Sequence, residues 1–331
     1  RFSVFLGAII DLRLGSLMVR KLQKVLVMKF VAILFGLSLL FPAFAQAPDD
    51  AGLAPISEAM TAYDAKPNEK TRKAVLEALG EYDGEANAIS VNAYLQIMVD
   101  DTYAGKARLM LESATATKLH LEPVADILPQ QYTEARYVAA VALFNAKQDD
   151  EAIIEMAHVQ GLSTSAGGNS VTGPDWAYKL RYKSDAWRMA MEAYFQSVGR
   201  RLPSDEKIEG ILASYGAHME TTNAVAATSE TEGDQLPFCK GELVQKPKMR
   251  YPSGKAMRGM YGALILNLTF DDDGQVVSPV VLASVPFETF EEKALKTVVK
   301  WRYKPNDPNA VGVTCRLNRN KVILPMIFQL G

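Results

Sequence analysis

The stretch from Ala263 to Phe270 most constrains what this chain can fold into. Leu264, Leu266, Leu268 and Phe270 fall on one side of an alternation, and Ala263, Ile265, Asn267 and Thr269 on the other. That period of two is the mark of a strand with one face in a core. Asp273-Gly274 follows. Glycine accepts the positive φ that reverses two twisted strands, so Gln275 to Leu282 reads as the returning strand of a hairpin. Thr289-Phe290-Glu291-Glu292 has the form of a capping box, with the Thr289 hydroxyl on the N3 amide and Glu292 reaching back to the Thr289 amide. The helix it opens puts Phe290, Ala294, Val298 and Trp301 on one apolar face, and Pro305 stops it. Val322 to Leu330 reads as a last strand. With a short helical segment at 253–260, the order is helix, strand, strand, helix, strand. The expected unit is three antiparallel strands with two helices on one face, an α+β fold.

These residues resemble a known family, the C-terminal domain of the TonB energy transducers of Gram-negative bacteria. The resemblance rests on Tyr251-Pro252, Gly259 and Gly262, Phe270 with Asp273-Gly274-Gln275-Val276, and Ser284-Val285-Pro286. It continues through Phe290-Glu291, Trp301-Arg302-Tyr303-Lys304-Pro305 and Ile327-Phe328-Gln329-Leu330. It covers roughly residues 240–331 and nothing upstream. It implies a periplasmic domain whose last strand receives a short peptide from an outer-membrane receptor.

Between Pro55 and Tyr215 the pattern turns helical. Segments at 69–82, 92–100, 104–114, 131–146, 149–158, 176–198 and 204–215 carry apolar stripes, and Pro203-Ser204 supplies a start signal for the last. The pair Tyr132 to Ala157 resembles a tetratricopeptide (TPR) unit, with Tyr137, Ala140, Ala142 and Phe144 on its first helix. The register does not repeat at constant spacing, so a helical-hairpin solenoid and an irregular helical domain both remain open. Residues 218–235 have almost no bulky apolar side chain and read as a linker. The expected organisation is a leader over 1–45, an all-α TPR-like domain over 46–216, a flexible linker over 217–236 and the TonB-like domain over 237–331.

The chain begins with Arg1, so residues 1–27 read as an upstream extension, with Met18 or Met28 as the native start. From Met28 the pattern is secretory: Lys29, an apolar run from Phe30 to Phe41, then Ala43-Phe44-Ala45. Small residues at Ala43 and Ala45 suit cleavage before Gln46. The apolar run is about a dozen residues, short of the roughly 20 a spanning helix needs. The expected location is the periplasm, and the alternative is an inner-membrane anchor facing it. Cys239 and Cys315 flank the last domain in a compartment where disulfides persist, and a bond between them is expected.

Enzymatic chemistry is not expected. His120, His158 and His218 are scattered, and no nucleophile elbow or P-loop occurs. Asp271-Asp272-Asp273-Gly274 lacks the first and twelfth ligands of a calcium loop. No metal and no cofactor is expected. With 36 Lys and Arg against 38 Asp and Glu, the net charge of −2 argues against nucleic-acid binding.

A sheet covered on one face still has two free edges, and free edges recruit extended peptides through main-chain hydrogen bonds. Carried over by the resemblance, the peptide-binding residues are Lys248, Met249, Arg250 and Tyr251 beside Val322, Ile323, Leu324, Pro325, Met326, Ile327, Phe328, Gln329 and Leu330. Lys248 stands where the family often has Gln, Phe30 to Phe41 contain no His to engage a proton-driven motor, and a helical region replaces the family's Pro-rich spacer. Pro325, lacking an N–H, belongs on an edge or at a bulge. The expected function is binding of outer-membrane receptor peptides by strand addition, in energy-coupled transport. The alternative is a periplasmic scaffold that binds protein or cell wall with no role in energy transduction. A further protein partner of the helical domain is expected, and a homodimer is left open.

Overall fold

The computed structural model describes residues 52–169, 173–200, 202–217, 241–247, 251, 261–286, 289–305 and 319–328. The leader with its cleavage site at Ala43, Ala45 and Gln46, the segment 253–260, and both cysteines, Cys239 and Cys315, lie outside them. The chain is α+β, an all-α region followed by a small antiparallel sheet region. It forms two compact units, residues 2–148 and 149–331. Their division falls inside the helical region, so three helices upstream of residue 217 belong with the strands.

The first unit is helical: α1 (Leu53–Ala65), α2 (Glu69–Glu81), α3 (Ala88–Ala104), α4 (Ala107–Leu121) and α5 (Pro129–Asn145). Asn68 and Asn87 start α2 and α3. Each side chain accepts two amide hydrogens of the first turn, with Thr71 and Ser90 bonding back to the cap amide. Ile56, Tyr63, Val75, Leu79 and Ile97 form part of the core. An ion pair, Arg72 with Asp101, is buried in the same unit. The Arg72 guanidinium reaches both carboxylate oxygens of Asp101, at 2.7–3.0 Å, and Glu112 at 2.9 Å. Such a fork holds a buried arginine because Nε and one terminal nitrogen donate in parallel to the same carboxylate.

The second unit opens with α6 (Asp149–Ser163), a five-residue π turn, α7 (Asp175–Ser197) and α8 (Asp205–Ser214). The two helices of the TPR-like pair thus fall in different units, α5 packing on α4 and α6 on α7. The strands follow: β1 (Gly241–Gln245), β2 (Gly262–Phe270), β3 (Val280–Val285), then α9 (Glu291–Val298), β4 (Arg302–Pro305) and β5 (Arg319–Phe328). The main sheet is antiparallel in the order β3-β2-β5, and β1 pairs antiparallel with β4 in a second, two-stranded sheet.

The alternation in β2 sorts the packing. Leu264, Leu266, Leu268 and Phe270 face a core completed by Phe290, Ala294, Val298, Trp301, Val322 and Phe328. The four residues expected on the apolar face of the second helix are all there. The other face is not open to water. Ala263, Ile265, Ala283 and Val285 pack against Tyr182, Ala186, Met189 and Ala190 of α7. The sheet is therefore sandwiched, with α9 on one side and α7 on the other. Both faces of β2 are apolar, so both need cover.

Three local expectations are corrected. Helix α9 ends at Val298, and Arg302–Pro305 is a strand; Gly241–Gln245 finds its partner there. The capping box does not form. Phe290 is the N-cap with no side-chain cap bond, and its amide donates to Glu291 Oε2 at 3.0 Å, while Glu292 pairs with Lys296. Packing decides this start, because the Phe290 ring stacks on Phe328 with centroids 4.1 Å apart. The chain after Gly274 does not return as a tight hairpin. Gln275 and Val276 make single bridges to Arg302 and Phe270, and pairing with β2 resumes only at Val280.

Candidate functional site

The expected peptide-binding strand is an edge. β5 pairs on one side with β2, and no described strand pairs with its other side. Its register places Met326 opposite Leu264, Pro325 opposite Ile265, Leu324 opposite Leu266 and Ile323 opposite Asn267. Residues facing each other in an antiparallel ladder alternate between bonded and non-bonded pairs. Proline has nothing to donate, so the Ile265–Pro325 pair belongs to the non-bonded class and Leu264–Met326 and Leu266–Leu324 to the bonded one. The backbone groups of Ile323, Pro325 and Ile327 then point away from β2, with an amide at 323 and at 327.

Side chains along β5 follow the same alternation. Val322 and Phe328 are buried in the core beside α9, with Leu324 and Met326 half-buried against it. Ile323 packs toward α7, Pro325 is half-buried, and Ile327 is 48% exposed. Five of these side chains therefore serve the fold, and the strand's outward offering is main chain. Gln329 and Leu330 lie outside the described residues, as do Lys248, Met249 and Arg250.

Tyr251 is where the expected site does come together. Its ring meets Phe290 and Phe328 edge-on, with centroids 5.6 and 6.2 Å away. Phe328 closes β5, so Tyr251 sits at that strand's C-terminal end. Its hydroxyl is buried without a hydrogen-bond partner among the described residues. Burial, with Tyr261 adding to it, pushes the phenol up to about 12. A buried hydroxyl with no acceptor costs about 1–3 kcal/mol, so the site holds an unused donor.

The turn before β3 is built by backbone needs. Asp271 Oδ1 accepts from the amides of Asp273 and Gln275, at 3.0 and 2.8 Å, which ties that carboxylate to its own loop. Gly274 has φ +72°, and the Tyr303 amide donates to its carbonyl at 2.7 Å. Trp301, fully buried, has Lys246 Nζ over its ring at 5.2 Å. Its role is in the core.

The histidines stay apart. His120 Nε2 lies 2.8 Å from Ser90 Oγ and its ring sits on Tyr94; burial lowers its pKa. His158 Nδ1 lies 2.9 Å from Tyr215 Oη. His218 lies outside the described residues. Among the described residues no group of three or more His, Cys, Asp or Glu side chains is placed to hold a metal, and no helix is long and apolar enough to cross a membrane.

Sequence reasoning found the helix at 176–198 but missed that it covers the second face of the sheet. The signal was present in the second face of β2, where Ala263 and Ile265 are as apolar as a buried strand requires. It was present in α7 too, whose buried positions run round more than one stripe.

Residues 247–322 match the protein-family model for the Gram-negative bacterial TonB protein C-terminal. The match begins at Pro247, so α7 and β1 lie before it, and it ends at Val322, within β5. No curated protein matches the chain.

Proposed function

We propose that this chain is a periplasmic, TonB-like protein whose β5 edge binds peptides of outer-membrane receptors by strand addition, in energy-coupled transport. The observation that carries the reading is the position of β5, last in the order β3-β2-β5, within a unit that includes the TonB C-terminal match. The Pro325 register supports it, since it leaves the amides of Ile323 and Ile327 directed outward. A guest strand supplies carbonyl groups there, and its affinity comes from main-chain bonds.

Nothing in this reading calls for a reaction at the site. The protein's part is to hold a strand and transmit a pull. Cleavage before Gln46 and a bond between Cys239 and Cys315 belong to the same proposal, as features of a periplasmic protein. A scaffold that binds protein or cell wall is the reading that remains if receptor peptides do not bind. The test is titration of the folded chain with peptides from the N-termini of outer-membrane receptors. Binding that maps to Ile323 and Ile327 supports the transport reading. No binding at millimolar peptide removes it.

A further inference from the structure

Among the described residues of the first unit, five large apolar side chains are exposed, and three of them gather at one end: Ile89, Leu119 and Ile127. Ile89 lies in the first turn of α3, Leu119 in the last turn of α4, and Ile127 in the connection from α4 to α5. The start of α3 is tied to the end of α4, because Ser90 Oγ, next to Ile89, lies 2.8 Å from Nε2 of His120, next to Leu119. The fold does not use these three side chains. Leu119 is 59% and Ile127 56% exposed, while the neighbouring Leu121 and Leu128 are buried and do the packing. Apolar side chains exposed singly are ordinary, and three at one end of a unit mark a surface that something covers.

Carboxylates surround them. Glu81 ends α2, Asp83 and Glu85 lie in the loop before α3, and Glu122 and Asp126 lie in the connection after α4. All five are exposed, and none pairs with a cation among the described residues. Across 81–91 and 117–130 the basic residues are Lys118, which is already engaged, and His120, which is occupied with Ser90 and Tyr94.

Those free carboxylates decide the occupant. A second copy, or an anionic lipid surface, would set negative charge against negative charge. A neutral apolar segment would cover the three side chains but take water from the carboxylates without giving them partners. No strand is described in this unit, so a guest must satisfy its own main chain, which a helix does. We propose that this end of the first unit docks a basic amphipathic helix of a partner protein, its apolar stripe on Ile89, Leu119 and Ile127 and its flanking lysines and arginines against Asp83, Glu85, Glu122 and Asp126. The site is separate from the β5 edge and does not depend on it.

The test uses the full chain with Ile and Leu methyl groups labelled, titrated with a leucine–lysine helical peptide of about 18 residues, or five turns, whose leucines form one stripe. A second peptide has the same composition with its leucines scattered round the helix, and a third carries glutamate in place of every lysine. The striped lysine peptide is expected to shift the methyl signals of Ile89, Leu119 and Ile127 and leave those of Ile323 and Ile327 in place. It is expected to bind at least about tenfold tighter than either control. Its affinity is expected to fall about tenfold or more in a Glu85→Gln, Glu122→Gln, Asp126→Asn variant, and again in a Leu119→Ser, Ile127→Ser variant. All of these positions are exposed, so the remaining methyl spectrum should not change. Equal affinity for the striped and scattered peptides overturns the proposal. So do shifts confined to other methyl groups, no shift at millimolar peptide, or an affinity that survives in either variant.

Discussion

Pro325 stands opposite Ile265 across the β2–β5 ladder, and this pairing fixes which backbone groups of the edge strand are available. Ile327→Pro removes an outward amide and is expected to weaken binding of receptor peptides tenfold or more, if the lost bond and the clash together cost about 1.5–3 kcal/mol. Met326→Pro removes an amide that bonds to β2 and is expected to lower stability by about 1–3 kcal/mol. Denaturant unfolding and peptide titration of both variants check this. The opposite pattern would mean the ladder is shifted by one.

Gly274 is held by Tyr303. A Cβ at 274 would lie 1.9 Å from the Tyr303 carbonyl oxygen, and the residue's φ of +72° already disfavours any side chain. Gly274→Ala is therefore expected to cost about 2–4 kcal/mol, the range in which backbone strain and overpacking combine. The melting temperature reports it. A loss of a few tenths of a kcal/mol would mean that the small β1–β4 sheet gives way without consequence.

Tyr251→Phe separates folding from binding. The hydroxyl has no partner among the described residues, so its removal is expected to leave stability unchanged or raise it by about 1 kcal/mol. Receptor-peptide affinity is expected to change by less than about twofold, because the buried hydroxyl lies out of a guest strand's reach. Below about pH 10 the wild-type phenol is neutral in both folded and unfolded chains. Since its folded pKa is raised, to about 12, its ionisation disfavours the fold only as pH rises from about 10 to about 12. The phenylalanine variant should lack that part of the alkaline loss.

Cutting the chain at residue 237 removes α7 and uncovers Ala263, Ile265, Ala283 and Val285. A fragment of residues 237–331 is expected to bind a hydrophobic dye and self-associate, whereas residues 149–331 should stay monomeric and melt cooperatively. Size-exclusion chromatography with dye fluorescence distinguishes them. A well-behaved short fragment would mean that α7 is an accessory.

The strand Gly262–Phe270 and its apolar partners Phe290, Ala294, Val298 and Trp301 were legible because period-two and helical spacings act locally. The helices from residue 69 to 215 were legible for the same reason, most with ends a few residues away, while Leu53–Ala65 was not among the expected segments. Other features depend on residues far apart in sequence. Arg302–Pro305 becomes a strand because Gly241–Gln245 reaches it, and neither segment has a strong pattern of its own. Thr289 does not build the expected box because Phe290 is drawn onto Phe328, a contact across 38 residues that outweighs a local hydrogen bond. Pro325 pointed to an edge or a bulge, but which of the two it marks, and which amides it frees, required the register.

The packing of α7 on the sheet also has a consequence for biosynthesis. The helix leaves the ribosome long before β5, the last strand to be made, and domains are completed only when their final element arrives. At ordinary synthesis rates, about 5–20 residues per second, the stripe of Tyr182, Ala186, Met189 and Ala190 waits for several seconds with nothing to cover it. A nascent chain stalled before β2 and β3 are made would expose that stripe, which makes α7 the segment a holding chaperone would be expected to grip.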